Sequence, residues 1–204
     1  MAKIKLTKGE LKKQRDALHQ YERYLPTLQL KKQQLQLEIS RQALLLAEKK
    51  NSWSLKIKAA QAWSGLLTDE SIDFSAWLAP RSLALGSRNI AGVEFPVFQQ
   101  LEFPPAEYDL FITPLWVDAA IEALRALLSL EREIATIEKG IEVLRQELRV
   151  TTQRVNLFEK VKIPEAQEAI RLIKIYIGDQ MANAVGRSKM AKKKIEENEM
   201  AGVI

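Results

Sequence analysis

Apolar residues recur every seven positions along the first third of the chain. Positions 11, 18, 25, 32, 39, 46, 53, 60 and 67 read Leu, Leu, Leu, Lys, Ile, Leu, Trp, Ala, Leu, so only Lys32 interrupts the series. A companion series at 14, 21, 28, 35, 42, 49 and 56 reads Gln, Tyr, Leu, Leu, Gln, Lys, Lys and is apolar only at its centre. One strong and one patchy series predict a long helix with an imperfect coiled-coil seam over 1–67. Pro26 is the misfit, because inside a helix its ring removes a hydrogen bond and clashes with the preceding turn. It predicts a kink near Tyr24–Pro26, or a short break with a second helix starting at Pro26. Gly65 and Thr68-Asp69-Glu70 supply the stop.

A second periodic stretch covers 117–204, with Asp118 near its first turn. Ile121, Leu124 and Leu128, then Ile134, Ile137, Ile141, Leu144, Leu148, Thr151, Val155 and Phe158, follow steps of three and four with a slip near Glu131. Pro164 interrupts, yet the spacing resumes through Ile163, Ala166, Ile170, Ile173, Ile177 and Met181. A proline after so long a run kinks a helix without ending it.

Helices of 60 and 75 residues would span roughly 90 Å and 110 Å, more than a compact domain of this size can enclose. Two such helices bury their stripes most economically against each other. The pattern therefore predicts an all-α fold, a long antiparallel two-helix coiled-coil hairpin. Each seam Leu or Ile would contribute about 1.5–3 kcal/mol by burial.

The connecting segment, 68–116, has a different character. Five of the seven prolines and eight of the fourteen aromatic residues fall between 74 and 116. Residues 66–110 hold seven acids and two arginines, a net charge of −5. Arg81–Leu85 and Val93–Phe98 each alternate, with Gly86, Asn89 and Gly92 between them as turn chemistry, which predicts one short β-hairpin. Leu83 and Leu85 would share one face; Val93, Phe95 and Val97 would share the facing one. Pro96 cannot donate to a ladder and marks an edge strand.

Composition then narrows the chemistry. The 204 residues carry 31 Lys+Arg, 26 Asp+Glu and one His, for a net charge of +5, and no Cys. Disulfides, thiol nucleophiles and Cys-based metal sites are excluded, and a lone His19 excludes a multi-histidine site. Gly178 and Gly186 are not followed by the Lys-Ser/Thr of a phosphate loop. There is no Gly-x-Ser-x-Gly elbow. Glu196-Glu197 and Asp69-Glu70 sit in polar contexts where ordinary ionised surface acids are expected. No uncharged apolar run approaches the ~18–20 residues of a membrane span. The Met1–Leu6 start lacks the apolar core of a signal peptide. These features predict a soluble, cytoplasmic, helical chain with no catalytic residues, no metal and no cofactor.

The ends are basic. Lys3, Lys5, Lys8, Lys12, Lys13 and Arg15 face two acids within 1–20, and Arg187, Lys189, Lys192, Lys193 and Lys194 have no acid within 185–194. In an antiparallel hairpin both segments combine into one positive tip. Nucleic acid or an anionic membrane would explain such a tip. The aromatics suited to base stacking lie in the middle segment instead. A solvated helix end, or a tip entering an acidic or polar protein cavity, are the other readings.

Three segments together resemble the D subunit of the V-type and A-type ATPases, the central-stalk shaft. They are Leu6-Thr-Lys-Gly-Glu-Leu-Lys-Lys13 with Leu28-Gln-Leu-Lys-Lys-Gln-Gln-Leu35; Asn89-Ile-Ala-Gly-Val-Glu-Phe-Pro96; and Arg154-Val-Asn-Leu-Phe-Glu159 with Pro164. The Lys-rich tail Lys189-Met-Ala-Lys-Lys-Lys194 is similar too. Pro26, and Gln33-Gln34 where the family has more charge, depart from the pattern. The resemblance implies a non-catalytic rotor shaft in a prokaryotic complex peripheral to the membrane. Its basic tip, Lys5, Lys8, Lys12, Lys13, Arg187, Lys189, Lys192, Lys193 and Lys194, would enter the hexamer of catalytic A and non-catalytic B subunits. The hairpin residues Asn89, Ile90, Gly92, Val93, Phe95 and Pro96 would contact a partner lower down. There the small F subunit binds and a funnel-shaped C/d-type subunit links to the membrane ring. Direct binding of nucleotide or nucleic acid, and insertion into the membrane, are not implied. A prefoldin-like chaperone and a basic coiled-coil scaffold are the alternatives, and an autonomous enzyme ranks last for want of a site.

Overall fold

The computed structural model describes residues 5–68, 74–109 and 113–202. Helix α1 spans Lys8–Gln61 and is followed by a 3₁₀ turn, Ser64–Thr68, and the short α2, Ser75–Leu78. Strands β1, Ser82–Ile90, and β2, Val93–Glu102, come next. Helix α3, Trp116–Leu157, then passes through a π-helical turn, Phe158–Lys162, into α4, Ile163–Ala201. The fold is all-α, with one two-stranded antiparallel sheet in the middle of the chain. The chain forms two compact units, one of Met1–Leu30 with Thr152–Ile204 and one of Lys31–Thr151.

In the Lys31–Thr151 unit the second half of α1 lies antiparallel to α3. Lys31 pairs with Glu147 at 2.7 Å, Lys49 with Glu133 at 2.7 Å and Lys50 with Glu138 at 2.6 Å, so the α3 partner falls from 147 to the 133–138 turn as α1 runs from 31 to 49–50. The heptad positions Lys32, Ile39, Leu46, Trp53 and Ala60 are all half-buried, and Leu35 and Gln42 of the companion series are buried. On α3, Ile121, Ile137, Ile141 and Leu144 are buried as their spacing predicts. The polar members of the seam find partners. Gln42 donates to Glu38 Oε1 at 2.8 Å. Lys49 lays its stem along the seam and takes its ammonium to Glu133, which is how a long cationic side chain occupies an apolar stripe.

The hairpin is longer than its alternation suggested. Gly86 and Asn89 lie inside β1, and the turn is the two-residue loop Ala91-Gly92, with φ of 52° and 81°. Positive φ at both positions matches the right-handed twist of the flanking strands. Asn89 Oδ1 accepts from the Gly92 N–H at 2.9 Å and ties the loop. Ala91 is the strained member, since a Cβ in the left-handed region costs about 1–2 kcal/mol. Ala91→Gly is therefore expected to raise thermal stability of the hairpin by about 0.5–1 kcal/mol, read by denaturant unfolding; a loss of stability would contradict this strain.

Register shows which side chains share a face. Val93, Phe95 and Val97 stand opposite Ile90, Arg88 and Gly86, whereas Leu85 stands opposite Phe98 and Leu83 opposite Leu101. An irregularity between Ala84 and Leu85 separates the two stretches. The Phe95 face packs on the helices. Phe95, Leu35 and Leu144 form a buried cluster, with Ile39, Ile90, Ala91, Val93 and Leu148 around it. Gly140 is required here, because a methyl group at that point of α3 would overlap the Phe95 ring, reaching 2.6 Å from its Cζ. Beside this apolar seat, Arg88 reaches Glu38 at 2.5 Å, a carboxylate whose side chain is only 12% exposed.

Residues flanking the hairpin are fastened by aromatics and one arginine. Phe74 meets Trp77 and Trp116 at ring-centre distances of 6.1 and 6.0 Å, and Trp77 meets Tyr108 at 5.2 Å. Arg125 of α3 donates to the Trp77 carbonyl at 3.0 and 3.2 Å and to the Pro104 carbonyl at 2.6 Å. Its guanidinium also lies 5.3 Å from the Phe103 ring centre. One side chain thus holds the chain on both sides of the sheet. Asp69 and Glu70, expected at the end of the first helix, lie outside the described residues.

In the other unit, the first part of α1 packs against α4 and the end of α3. Leu11, Leu18 and Leu25 are half-buried, and Val155, Ala166, Ile170 and Ile173 are buried. Tyr21 and Phe158 stack at 5.3 Å. The seam ends at Ile177, for Met181 is 53% exposed. Of the kink or break expected at Pro26, the break does not occur: α1 runs through it. Pro26 sits on the exposed side of the helix, where water can satisfy the carbonyl it deprives of a donor. Pro164 acts differently. The turn before it widens, and the Ile163 N–H bonds the Phe158 carbonyl five residues back. A π turn moves the backbone that the proline ring would otherwise strike, so the helix continues into α4.

The start of α1 carries a signal that the heptads hide. Thr7 Oγ1 accepts from the Glu10 N–H at 3.3 Å, the Thr-x-x-Glu spacing of a capping box. Thr7→Ala should cost about 1 kcal/mol of local stability, seen as faster amide exchange over residues 8–11 and nowhere else.

Candidate functional site

The residues expected to meet partners fall into two groups. Of the basic group, Lys5, Lys8, Lys12, Lys13, Arg187, Lys189, Lys192, Lys193 and Lys194 are all exposed. A shallow groove lined by Leu6, Thr7 and Lys8 with Tyr176, Ile177, Gln180, Met181 and Ala184 shows how the two ends meet. The α1 start lies level with 176–184. Arg187–Lys194 therefore continue past it, and every residue of 178–200 is exposed. The structure places the cations in series along the helices rather than opposite one another. Lys192 and Lys193 each face a glutamate one turn on, Glu196 and Glu197, at 3.6 Å. These are exposed pairs, worth under about 1 kcal/mol each.

The second group is the hairpin. Ile90, Val93 and Phe95 turn inward onto Leu35 and Leu144, Asn89 ties the turn, Gly92 is exposed and Pro96 is half-buried. Leu83, Leu85 and Val97 remain exposed, by 44%, 51% and 38%. Alternation alone could not tell inward from outward, because both faces of the ribbon are apolar. Gly140 carried the missing signal: a glycine in mid-helix needs something to lie against it.

Further along the chain, Val155 is buried while its neighbours Arg154, Asn156 and Glu159 are exposed. On α4, Arg171 donates twice to Glu168, at 2.8 and 2.7 Å. That hydrogen bonding, with the guanidinium charge, holds the Glu168 carboxyl below its usual range and raises Arg171. Such a pair is present at neutral pH and is lost as pH falls through the lowered carboxylate value. His19 is exposed on α1. Among the described residues no group of three or more His, Asp or Glu is placed to hold a metal ion, and no helix is long and apolar enough to cross a membrane.

Residues 10–193 match the family described as the ATP synthase D subunit. A V-type ATP synthase D subunit from Borreliella burgdorferi is 44% identical over 94% of this chain and 95% of its own length. The protein of that name from Chlamydia pneumoniae is 34% identical, over 98% of this chain and 96% of its own. That from Chlamydia trachomatis serovar L2 is 32% identical, over 97% and 98%. With nearly its whole length matched and its paired helices and hairpin in place, this chain belongs to the ATP synthase D subunit family.

Proposed function

We propose that the chain is the non-catalytic central-stalk shaft of a prokaryotic V-type rotary ATPase. It would couple ATP hydrolysis or synthesis in the catalytic head to proton or sodium movement through the membrane ring. The observation that carries this reading is the uninterrupted α1, whose heptad positions from Leu11 to Ala60 are all turned away from full exposure. A seam of that length transmits twist, because rotating one helix about the other would expose leucines worth about 1.5–3 kcal/mol each.

The paired helices would enter the hexamer of catalytic A and non-catalytic B subunits. An asymmetric shaft in a pseudo-threefold cavity touches each catalytic interface differently. Its angle then biases which interface opens, and nucleotide state biases the angle in return. The exposed ion pairs along α4 suit a surface that must leave each contact at every step. The small F subunit and a funnel-shaped C/d-type subunit complete the set of partners, and the assembly would lie on the cytoplasmic side of the membrane.

A tagged copy expressed in its native organism is expected to bring down the A and B head subunits together with the small F subunit. Recovery of the chain without head subunits would overturn the reading.

A further inference from the structure

The seam of the Lys31–Thr151 unit joins its two helices without saying where along each other they lie. Leu130, Ile134, Ile137, Ile141, Leu144 and Leu148 give α3 a Leu or Ile at every step of three or four. Sliding α1 by seven residues, about 10 Å, would put Leu46 where Ile39 stands and keep the stripe on the seam. Buried polar groups resist such a slide only when they bond across the seam. Gln42 donates to Glu38 at 2.8 Å and Thr136 to the Arg132 carbonyl at 2.8 Å, each within its own helix. The pairs that do cross, Lys31–Glu147, Lys49–Glu133 and Lys50–Glu138, are between a quarter and a half exposed. Such pairs hold weakly.

The hairpin does distinguish one offset from the next. Its Phe95 ring meets both helices at once, against Leu35 of α1 and against Leu144 and the bare backbone of Gly140 on α3. Gly140 is the only glycine of α3. Seven residues to either side stand Glu133 and Glu147, whose side chains would fill the notch. Arg88, opposite Phe95 in the ladder, pairs with Glu38 of α1. Seven residues from Glu38 stand Lys31, which would repel a guanidinium, and Leu45, which has no acceptor. The hairpin therefore has one seat on each helix, and the two seats coincide in a single register.

We propose that the β-hairpin is the register clamp of the paired helices: Phe95 in the Gly140 notch and Arg88 on Glu38 set where α1 lies along α3, and the heptad seam does not. The clamp acts in the chain by itself. Under the stalk reading it would keep applied twist from being lost as one helix slides past the other.

A distance along the helices tests this. Glu48→Cys and Arg149→Cys, both at exposed positions, add the only two thiols, since the chain has no cysteine. With Lys31 level with Glu147 and Lys49 with Glu133, the two sites lie about 25 Å apart along the axis. Nitroxide labels on the full-length isolated chain, read by pulsed dipolar spectroscopy, should give one narrow distance. Adding Arg88→Ala with Phe95→Ala should produce a second population displaced by about 8–10 Å, the length of one heptad. Gly140→Leu should do the same, because it closes the notch from the α3 side; leucine is also the better helix former. Ile121→Ala removes a buried side chain nineteen residues along α3 from the notch, so its distance should stay single. One unchanged distance in either clamp variant overturns the proposal, as does a second population of equal size in Ile121→Ala. If the double alanine variant alone loses its helical signal, Gly140→Leu decides. Loss of that signal in both overturns the proposal too, because a seam that holds without the clamp leaves both helices formed.

Discussion

Replacing Phe95 with alanine is expected to cost about 3–5 kcal/mol of hairpin docking, the range for removing a fully packed phenylalanine. The ring is 3% exposed, between Leu35 of one helix and Leu144 of the other, and it lies against the bare backbone of Gly140. With the ring gone, the Arg88–Glu38 pair and the half-buried Ile90 and Val93 would remain to hold this face of the ribbon. Amide exchange over Ser82–Glu102 should accelerate by two orders of magnitude or more, while far-ultraviolet helicity stays near its wild-type value. Gly140→Ala approaches the same contact from the other side. By propensity alone it would stabilise α3 by about 1 kcal/mol. The overlap with the ring should reverse the sign and cost about 1–3 kcal/mol. Combining Gly140→Ala with Phe95→Leu, which gives up part of the ring volume, should cost less than the sum of the two single changes. Strict additivity would mean that the two residues do not share the contact described.

Deleting 186–204 is expected to leave the fold nearly intact and to damage the coupling. Residues 186–200 of that segment are all exposed, so their removal uncovers no core. Melting temperature should move by no more than about 2 °C, and helical signal should fall only in proportion to the residues removed. Under the shaft reading the same segment contacts the inside of the catalytic head. Ion transport per ATP hydrolysed should therefore drop by about tenfold, the scale of a coupling energy of 1–3 kcal/mol. A collapse of the helical signal, or full coupling in the truncated complex, would contradict this division of labour.

Much of this was legible in the sequence because seam burial writes itself into residue spacing. The first heptad series marked half-buried positions from Leu11 to Ala60, including the polar Lys32, and its companion marked buried or half-buried ones from Gln14 to Lys49, including Gln42, and failed only at exposed Lys56. Local backbone chemistry was harder to read. Pro26 signals a kink or a break, but the helix continues through it, with the proline on the exposed side. Pro164 signals a kink, and the chain answers with a π turn that no periodicity encodes. In the hairpin, the turn moved to Ala91-Gly92 because both strands continue through residues that otherwise favour turns. Which face of that ribbon packs inward depends on Gly140, some fifty residues away, and a long-range contact of that kind leaves no local pattern. The basic ends were visible as composition, yet their level relative to each other depends on where the seam stops. Ile177 ends it, so Arg187–Lys194 extend past the start of α1.

The central claim, that this chain turns within an ATPase, is tested most directly by watching it turn. Ser87→Cys places a unique thiol at an exposed position of β1, and a bead attached there reports rotation of the chain in a complex immobilised through its head. ATP should drive rotation in one direction, pausing at three angles per turn that correspond to the three catalytic interfaces. A bead that stays still while the same complexes hydrolyse ATP would contradict the claim.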